Sequence, residues 1–477
     1  MKAIRTYIIA AAAAVAFTSS AQEAARSAYF LDGYSYRHML NPALGNDNNY
    51  VAIPVLGNIG VGVASNVGVN TFLYKTEPGS RYSLTTFMSP TVDAATFLNK
   101  LGERSRVTAD MNLTVLSAGF KAWNGYNTIT VGVRTDVGAS LPKDLFRFMK
   151  LGQTGDDTRY SFKNLALRAD AMAEIALGHS RSILPGLEAG AKLKFLLGIG
   201  SVSAQIDRMD VHMSGEQWLV SAKGSVDIAA GSGLYLPTKQ EAGVEYDNAD
   251  QADLIEWGDM EYNNFGLSGF GMAIDLGATY DLQALPGLQL SAALTDLGFI
   301  SYNHAVRGAT SDVSWTFDGF SDVAFDKNQP GYQDNKLSEQ IDNMWDDLED
   351  VVNFHRTADN ASFSRMLGAT LRLGAEYKMP FYQKLTGAFL FSTRMAGVSS
   401  WTEGRFYANV KPTGWFDASV NYGAGTFGSS FGWMINFHPR GFNFFIGSDH
   451  QFFKVTPQFL PVGRASAQLN IGFNVTY

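Results

Sequence analysis

The sequence has no cysteine. That excludes a disulfide, a thiolate metal site and a lipid anchor on an N-terminal cysteine. It also lacks any apolar run of the roughly 20 residues that a membrane helix needs. Basic residues are short: 37 Lys and Arg face 45 Asp and Glu, a net charge of -8, so the basic footprint of a nucleic-acid binder is missing. Mean hydropathy is only -0.06. Those absences argue against helices in lipid. They do not argue against strands in lipid, because a closed sheet needs no long apolar run.

What is present begins with residues 1–21. Lys2 and Arg5 precede the apolar stretch 7–17, and Ser19, Ser20 and Ala21 supply small residues. This reads as a secretory signal cut after Ala21. Residues 22–50 read as a short aromatic segment and 51–477 as one large domain.

That domain alternates. Near the C-terminus Leu469, Ile471, Phe473, Val475 and Tyr477 share one face, while Gln468, Asn470, Asn474 and Thr476 share the other. Such period-two patterning is a strand with one apolar face. It recurs over 128–140, 163–178, 187–197, 270–280 and 367–377. These runs exceed soluble strands and match the roughly 9–11 residues of a tilted membrane strand. A soluble sandwich or propeller would also alternate, but with shorter strands.

The links carry a second signal. Short turns with Pro and Gly fall at 183–186, 284–287, 411–414 and 438–441, with a similar one at 379–383. Long links fall at 141–161, 229–265, 303–364 and 454–464. Counted back from Tyr477, short turns and long links occupy opposite ends. The expectation is an all-β transmembrane antiparallel barrel with short periplasmic turns and longer outer loops. It has about 14 strands, or about 16 if the weak pair at 205–213 and 217–228 counts. Two outer links are acidic: 229–265 holds eight acids and one base, and 303–364 twelve acids and four bases. Helical spacing occurs at 91–101, 141–151 and 337–352, all in outer links, where the apolar sides would cover the barrel mouth.

Three stretches carry a resemblance. They are Ser27-Ala28-Tyr29-Phe30-Leu31-Asp32-Gly33 with Asn41-Pro42-Ala43, then Ile53-Pro54-Val55-Leu56-Gly57, then Leu141-Pro142-Lys143-Asp144. The chain resembles a family of uncharacterised outer-membrane barrels of the Bacteroidota. More distantly, Asn41-Pro42-Ala43 and the pieces 272–277 and 294–298 are similar to the long-chain fatty-acid transporter family and the shuttle barrel of type IX secretion. That resemblance implies fourteen strands and an N-terminal hatch within the lumen, here around Tyr29, Phe30, Tyr34, Asn41 and Pro42. Read without it, the same segment is equally an ordinary first strand and turn.

Candidate chemistry lies on the lumen face, where ionisable groups can meet water or each other. If residues 134 and 170 face one another, Arg134 meets Asp170 and Asp136 meets Arg168. Glu174 can then meet Lys192. This would be a self-neutralised charge ladder that holds register or guides a solute. His38, His179, His212, His304, His355, His438 and His450 show no metal spacing, and no metal or cofactor is expected. His179 and His438, at turns, read as solvated. Gly428-Ser429-Ser430-Phe431-Gly432 matches a nucleophile elbow, but a strand rather than a helix follows, so no enzyme is expected and a barrel hydrolase is the third choice. Two functions remain. One is passive uptake of a hydrophobic or amphipathic small solute. The other is a non-transporting subunit or docking platform with an envelope protein partner. Both place the chain in the outer membrane, with its lipid and without nucleic acid.

Overall fold

The structure is a computed structural model that describes residues 25–76, 84–246, 249–263, 266–311, 314–318, 353–450 and 466–477. The signal-like stretch 1–21, the helical pattern at 337–352 and the link 454–464 lie outside the described residues.

Eighteen strand segments form one sheet. They are β1 (Tyr50–Ala52), β2 (Asn58–Ser65), β3 (Arg104–Ala122), β4 (Gly125–Pro142), β5 (Asp157–Leu184), β6 (Leu187–Ser214), β7 (Trp218–Ala229), β8 (Gly269–Asp281) and β9 (Leu288–Ala309), followed by β10 (Ser314–Phe317), β11 (His355–Met366), β12 (Ala369–Lys378), β13 (Leu385–Met395), β14 (Trp401–Thr413), β15 (Phe416–Gly425), β16 (Gly428–Phe437), β17 (Phe442–Ser448) and β18 (Ala467–Thr476). Four staves are each made of two segments: β1 with β2, β7 with β8, β9 with β10, and β11 with β12. That leaves fourteen antiparallel staves. The last, β18, pairs with both β1 and β2, so the sheet closes and has no free edge.

The closed all-β barrel and its fourteen staves agree with the sequence expectation, but two details of the count are corrected. The weak pair at 205–213 and 217–228 is real. Residues 205–213 extend β6, and β7 is the upper half of the stave that β8 completes. Both β7 and β8 pair antiparallel with β6, from Met213↔Trp218 to Ser201↔Ala229 and then from Gly269↔Gly198 onward. The link after Ala229 is therefore not a turn between neighbours. It leaves the wall partway up one stave and returns to the same stave. Alternation cannot distinguish a strand that resumes from one that reverses. Similarly, 303–309 and 355–364 belong to β9 and β11, so the second acidic link is shorter than expected.

Side chains divide as alternation requires. Ile129, Leu177, Leu193, Met272, Leu290, Leu373, Phe406, Val420 and Leu469 are exposed on the outer face. Arg372, Arg405, Asp275 and Asn470 are buried inside. The barrel has unequal walls. Each of β5 and β6 runs 28 residues, whereas β12, β15, β16 and β18 run 10. Ten tilted residues suffice for the roughly 25 Å apolar band of a membrane barrel, so the long wall stands well above it.

Described residues of the insertion after Ala229, among them Leu236 and Ile255, lie against this raised wall. Asp227 points into the lumen, where it pairs with Arg307 at 2.7 Å. Its neighbours Val226 and Ile228 therefore point outward. They are covered by Leu236 and Ile255 of the insertion and by Phe354. Two of the expected helices form, at Ala94–Leu98 and Lys143–Leu151. Phe97 and Phe146 pack with Val67, Phe87, Val92 and Leu101 in one cluster among the outer links. Asp93 caps the first helix, accepting from Thr96 N at 2.7 Å.

Candidate functional site

Residues 25–49 run inside the barrel, where Tyr29, Tyr34, Tyr36, Leu40 and Asn41 are buried. Apart from two single-turn helices, Arg26–Ala28 and Arg37–Met39, the segment has no regular structure. Successive turns satisfy much of its backbone, as where Leu31 N donates to Ala28 O and Tyr34 N to Leu31 O, both at 3.0 Å, and the remaining polar groups turn to the wall.

At its start, Arg26 and Ser27 meet the wall through charge. Both Arg26 N and Arg26 Nε donate to Asp449 Oδ2, at 2.9 and 3.2 Å. Ser27 N and Ser27 Oγ donate to Asp449 Oδ1 at 2.7 and 2.5 Å. Arg26 also lies 3.5 Å from Glu403, which Arg405 holds at 2.8 Å. Burial pushes the Asp449 carboxyl up, but Arg26, Arg405 and Ser27 more than offset this and hold it at about 2. Burial and the Arg26 guanidinium push the neighbouring His450 down to about 4.

Further along, the segment fits the wall by shape. Gly190 on β6 and Gly277 on β8 are direct cross-strand partners. A Cβ on Gly190 would overlap Pro42, and one on Gly277 would overlap Asn41. Two opposed glycines thus open a recess that receives Asn41-Pro42-Ala43. Within it, Asn41 Nδ2 donates to Tyr29 Oη at 3.1 Å and Asn41 Oδ1 accepts from Ala43 N at 3.0 Å. Tyr29 Oη donates to Ser291 at 3.1 Å. Phe30 lies edge-on to Tyr407 at 5.1 Å, and Tyr34 to Phe445 at 4.8 Å.

Above this segment lies a layer of lumen charges. The ladder expected from sequence does not form. The β4–β5 register sets Asp136 opposite Asp170, Arg134 opposite Met172, and Gly138 opposite Arg168. A shift of two residues keeps every side chain on its face, so the apolar pattern could not choose between the two registers. Two acids now face each other, which is unfavourable unless cations join them. They do, from across the lumen. Arg394 pairs with Asp136. Arg365 lies 3.3 Å from Asp170, and Arg168 2.5 Å from it along the same strand.

Glu174 and Lys192 do not meet either. Glu174 lies 3.4 Å from Arg134 and 3.9 Å from Lys194. Lys192 Nζ instead donates to His38 O at 2.9 Å, tying the wall to the internal segment. The residue that gathers the layer is Asp296, which sequence reasoning missed. Ile274 pairs with Leu297 but Leu276 with Leu294, so Thr295 and Asp296 bulge opposite Asp275. Asp296 adopts a left-handed φ of 60°, uncommon for a residue with a Cβ. The bulge breaks the alternation and turns the carboxylate inward. It accepts from Lys194 at 2.8 Å and from Arg134 at 2.9 Å, while its own N–H donates to Asp275 at 2.7 Å.

A cavity of about 100 Å³ lies at this layer. Its lining combines both charge signs, among them Arg134, Asp170, Glu174, Lys192 and Asp296, with Met172 and Leu367. Those two apolar residues continue into a buried lumen cluster with Leu196, Ile300 and Tyr302. The cavity is therefore lined by charges of both signs with apolar side chains among them.

The histidines at turns are only partly exposed. His438 has a side chain only 10% exposed and lies 3.4 Å from Asp417. His179 bonds to Asn127 at 2.9 Å. Gly428 opens a hairpin between β15 and β16, and Ser430 accepts from Arg405 at 2.8 Å, so no nucleophile elbow is formed.

The model of one protein family, described as a family of unknown function (DUF5723), matches residues 42–449. No curated protein matches the sequence. Among solved structures, the toluene transporter TbuX of Ralstonia pickettii is 8% identical with a TM-score of 0.40, over 93% of each chain. A FadL homologue of Pseudomonas aeruginosa is 10% identical with a TM-score of 0.38, over 96% of this chain and 99% of that one. The translocator domain of the autotransporter NalP of Neisseria meningitidis is 6% identical with a TM-score of 0.33, over 91% and 90%. Likeness at this level says nothing of what this chain binds.

Proposed function

The chain belongs to the family DUF5723, whose description assigns no activity, and from that premise we propose that it is an outer-membrane barrel admitting a small amphipathic solute, with residues 25–49 as its gate. The carrying observation is the mixed lining of the lumen cavity, where Met172 and Leu367 stand among Asp296, Lys194 and Arg134. A purely hydrophobic solute would strip water from charges without replacing it. A solute with a charged end and an apolar body matches both kinds of lining. The expectation of a hydrophobic or amphipathic solute thus narrows to the second.

The internal segment closes the path below the cavity, so passage requires it to shift. Proteoliposome swelling tests the selectivity. Phenylalanine should enter faster than glucose, which is of similar size but wholly polar. Equal rates, or exclusion of both, would count against the reading. The dense buried bonding of Arg26 and Ser27 favours the alternative, a non-transporting platform whose segment never leaves. That alternative predicts exclusion of both solutes.

A further inference from the structure

A second cavity, of about 600 Å³, opens at the short-turn end of the barrel beneath Phe30 and Leu31. Two of its lining side chains hold polar atoms with no partner. Asn409 is only 4% exposed, and neither its Nδ2 nor its Oδ1 is bonded. Asp417 is 1% exposed. Its Oδ2 accepts from Gly33 N at 3.0 Å, and its Oδ1 has no partner. The two residues sit on adjacent strands, since Asn409 pairs with Ser419, two residues from Asp417. Buried polar groups left unbonded are destabilising, so such a pair calls for a complement. Lysines 378, 384 and 411 also line the cavity, together with the acids Asp32 and Glu376. Of these, Lys384 Nζ already donates to Pro412 O.

We propose that this cavity binds a small zwitterion carrying an ammonium and a carboxylate, an amino acid or short peptide. The ammonium donates to Asp417 Oδ1 and Asn409 Oδ1. The carboxylate pairs with Lys378 and Lys411, the latter two residues from Asn409 on the same strand. Phe30, Leu31 and Val410 cover whatever apolar part lies between. Asn409 Nδ2 is left to donate to a ligand carbonyl, which a peptide has and a simple amine lacks. Because Phe30 and Leu31 form one side only while the internal segment is seated, binding needs no passage through the barrel. It therefore stands apart from the gating reading.

Calorimetric titration of the detergent-solubilised full chain with trialanine tests it, with N-acetyl-trialanine amide as the uncharged control. Saturable binding of trialanine, at least tenfold weaker for the control, is expected. Asn409→Leu should reduce trialanine affinity at least tenfold, and Lys411→Gln several-fold. Asp417 also holds Gly33, so Asn409→Leu, away from that contact, guards against mere loss of the segment. No saturable binding, equal binding of the blocked peptide, or unchanged affinity in Asn409→Leu would overturn the proposal. A swelling assay that fails while trialanine still binds would refute the passage reading alone.

Discussion

Two of the attachments that hold the internal segment work by different physics. At Arg26 and Ser27 the hold is ionic: a buried guanidinium and two backbone N–H groups converge on Asp449. At Asn41-Pro42-Ala43 it is steric, a turn fitted into a recess left by two opposed glycines. The first attachment is strong but depends on protonation. The second is weaker and insensitive to pH. A gate needs such a difference, because one attachment can release while the other acts as a hinge.

Four changes should break or sharpen this contrast, in falling order of effect. Asp449→Ala removes the nearer acid from the buried Arg26 charge and leaves it Glu403 at 3.5 Å, and breaking such a pair costs about 3–5 kcal/mol. Hydrogen exchange at residues 25–31 should rise steeply while the strands stay protected. Acidification comes next. His450 is held at about 4, and a released imidazole titrates near its ordinary value of about 6.5. Between those limits only the released state gains the proton, so the ionic attachment weakens as pH falls from about 6.5 to 4. Asp449, held at about 2, adds a loss in the same direction below about pH 4. Exchange at residues 25–31 should therefore be faster at pH 4.5 than at pH 7.5, with residues 41–43 unchanged.

Gly277→Val reverses the pattern. Overpacking costs about 1–3 kcal/mol, so residues 41–43 should loosen while Arg26 stays protected. The smallest effect belongs to Asn41→Ala, which loses the bonds to Tyr29 and Ala43 without leaving a steric conflict, about 1 kcal/mol. A maleimide probe on an Ala43→Cys variant should react slightly faster in that background, and much faster beside Gly277→Val.

The barrel was legible in the sequence because its signal is redundant. Face alternation recurs in six stretches of the chain, and turn length separates the two ends independently. The site was legible only in its members. Arg134, Asp136, Arg168, Asp170, Glu174 and Lys192 do lie on or beside the lumen layer, and Tyr29, Phe30, Tyr34, Asn41 and Pro42 lie inside the barrel. Their partners were not legible. Register is blind to a shift of two, and the partners of Asp136 and Asp170 arrive from residues 394 and 365, far along the chain. Asp296 escaped because a bulge interrupts the period on which the reading relied. A polar Thr295-Asp296 pair within the alternating run was the one available sign.

The central claim is that residues 25–49 gate the barrel. Ser35 Oγ and Asn443 Oδ1 meet at 3.2 Å, one on the segment and one on the wall. The chain has no other cysteine to compete, so Ser35→Cys with Asn443→Cys can lock the segment by oxidation and free it by reduction. Phenylalanine entry into proteoliposomes should stop on oxidation and return on reduction. Equal entry in both states would contradict the account.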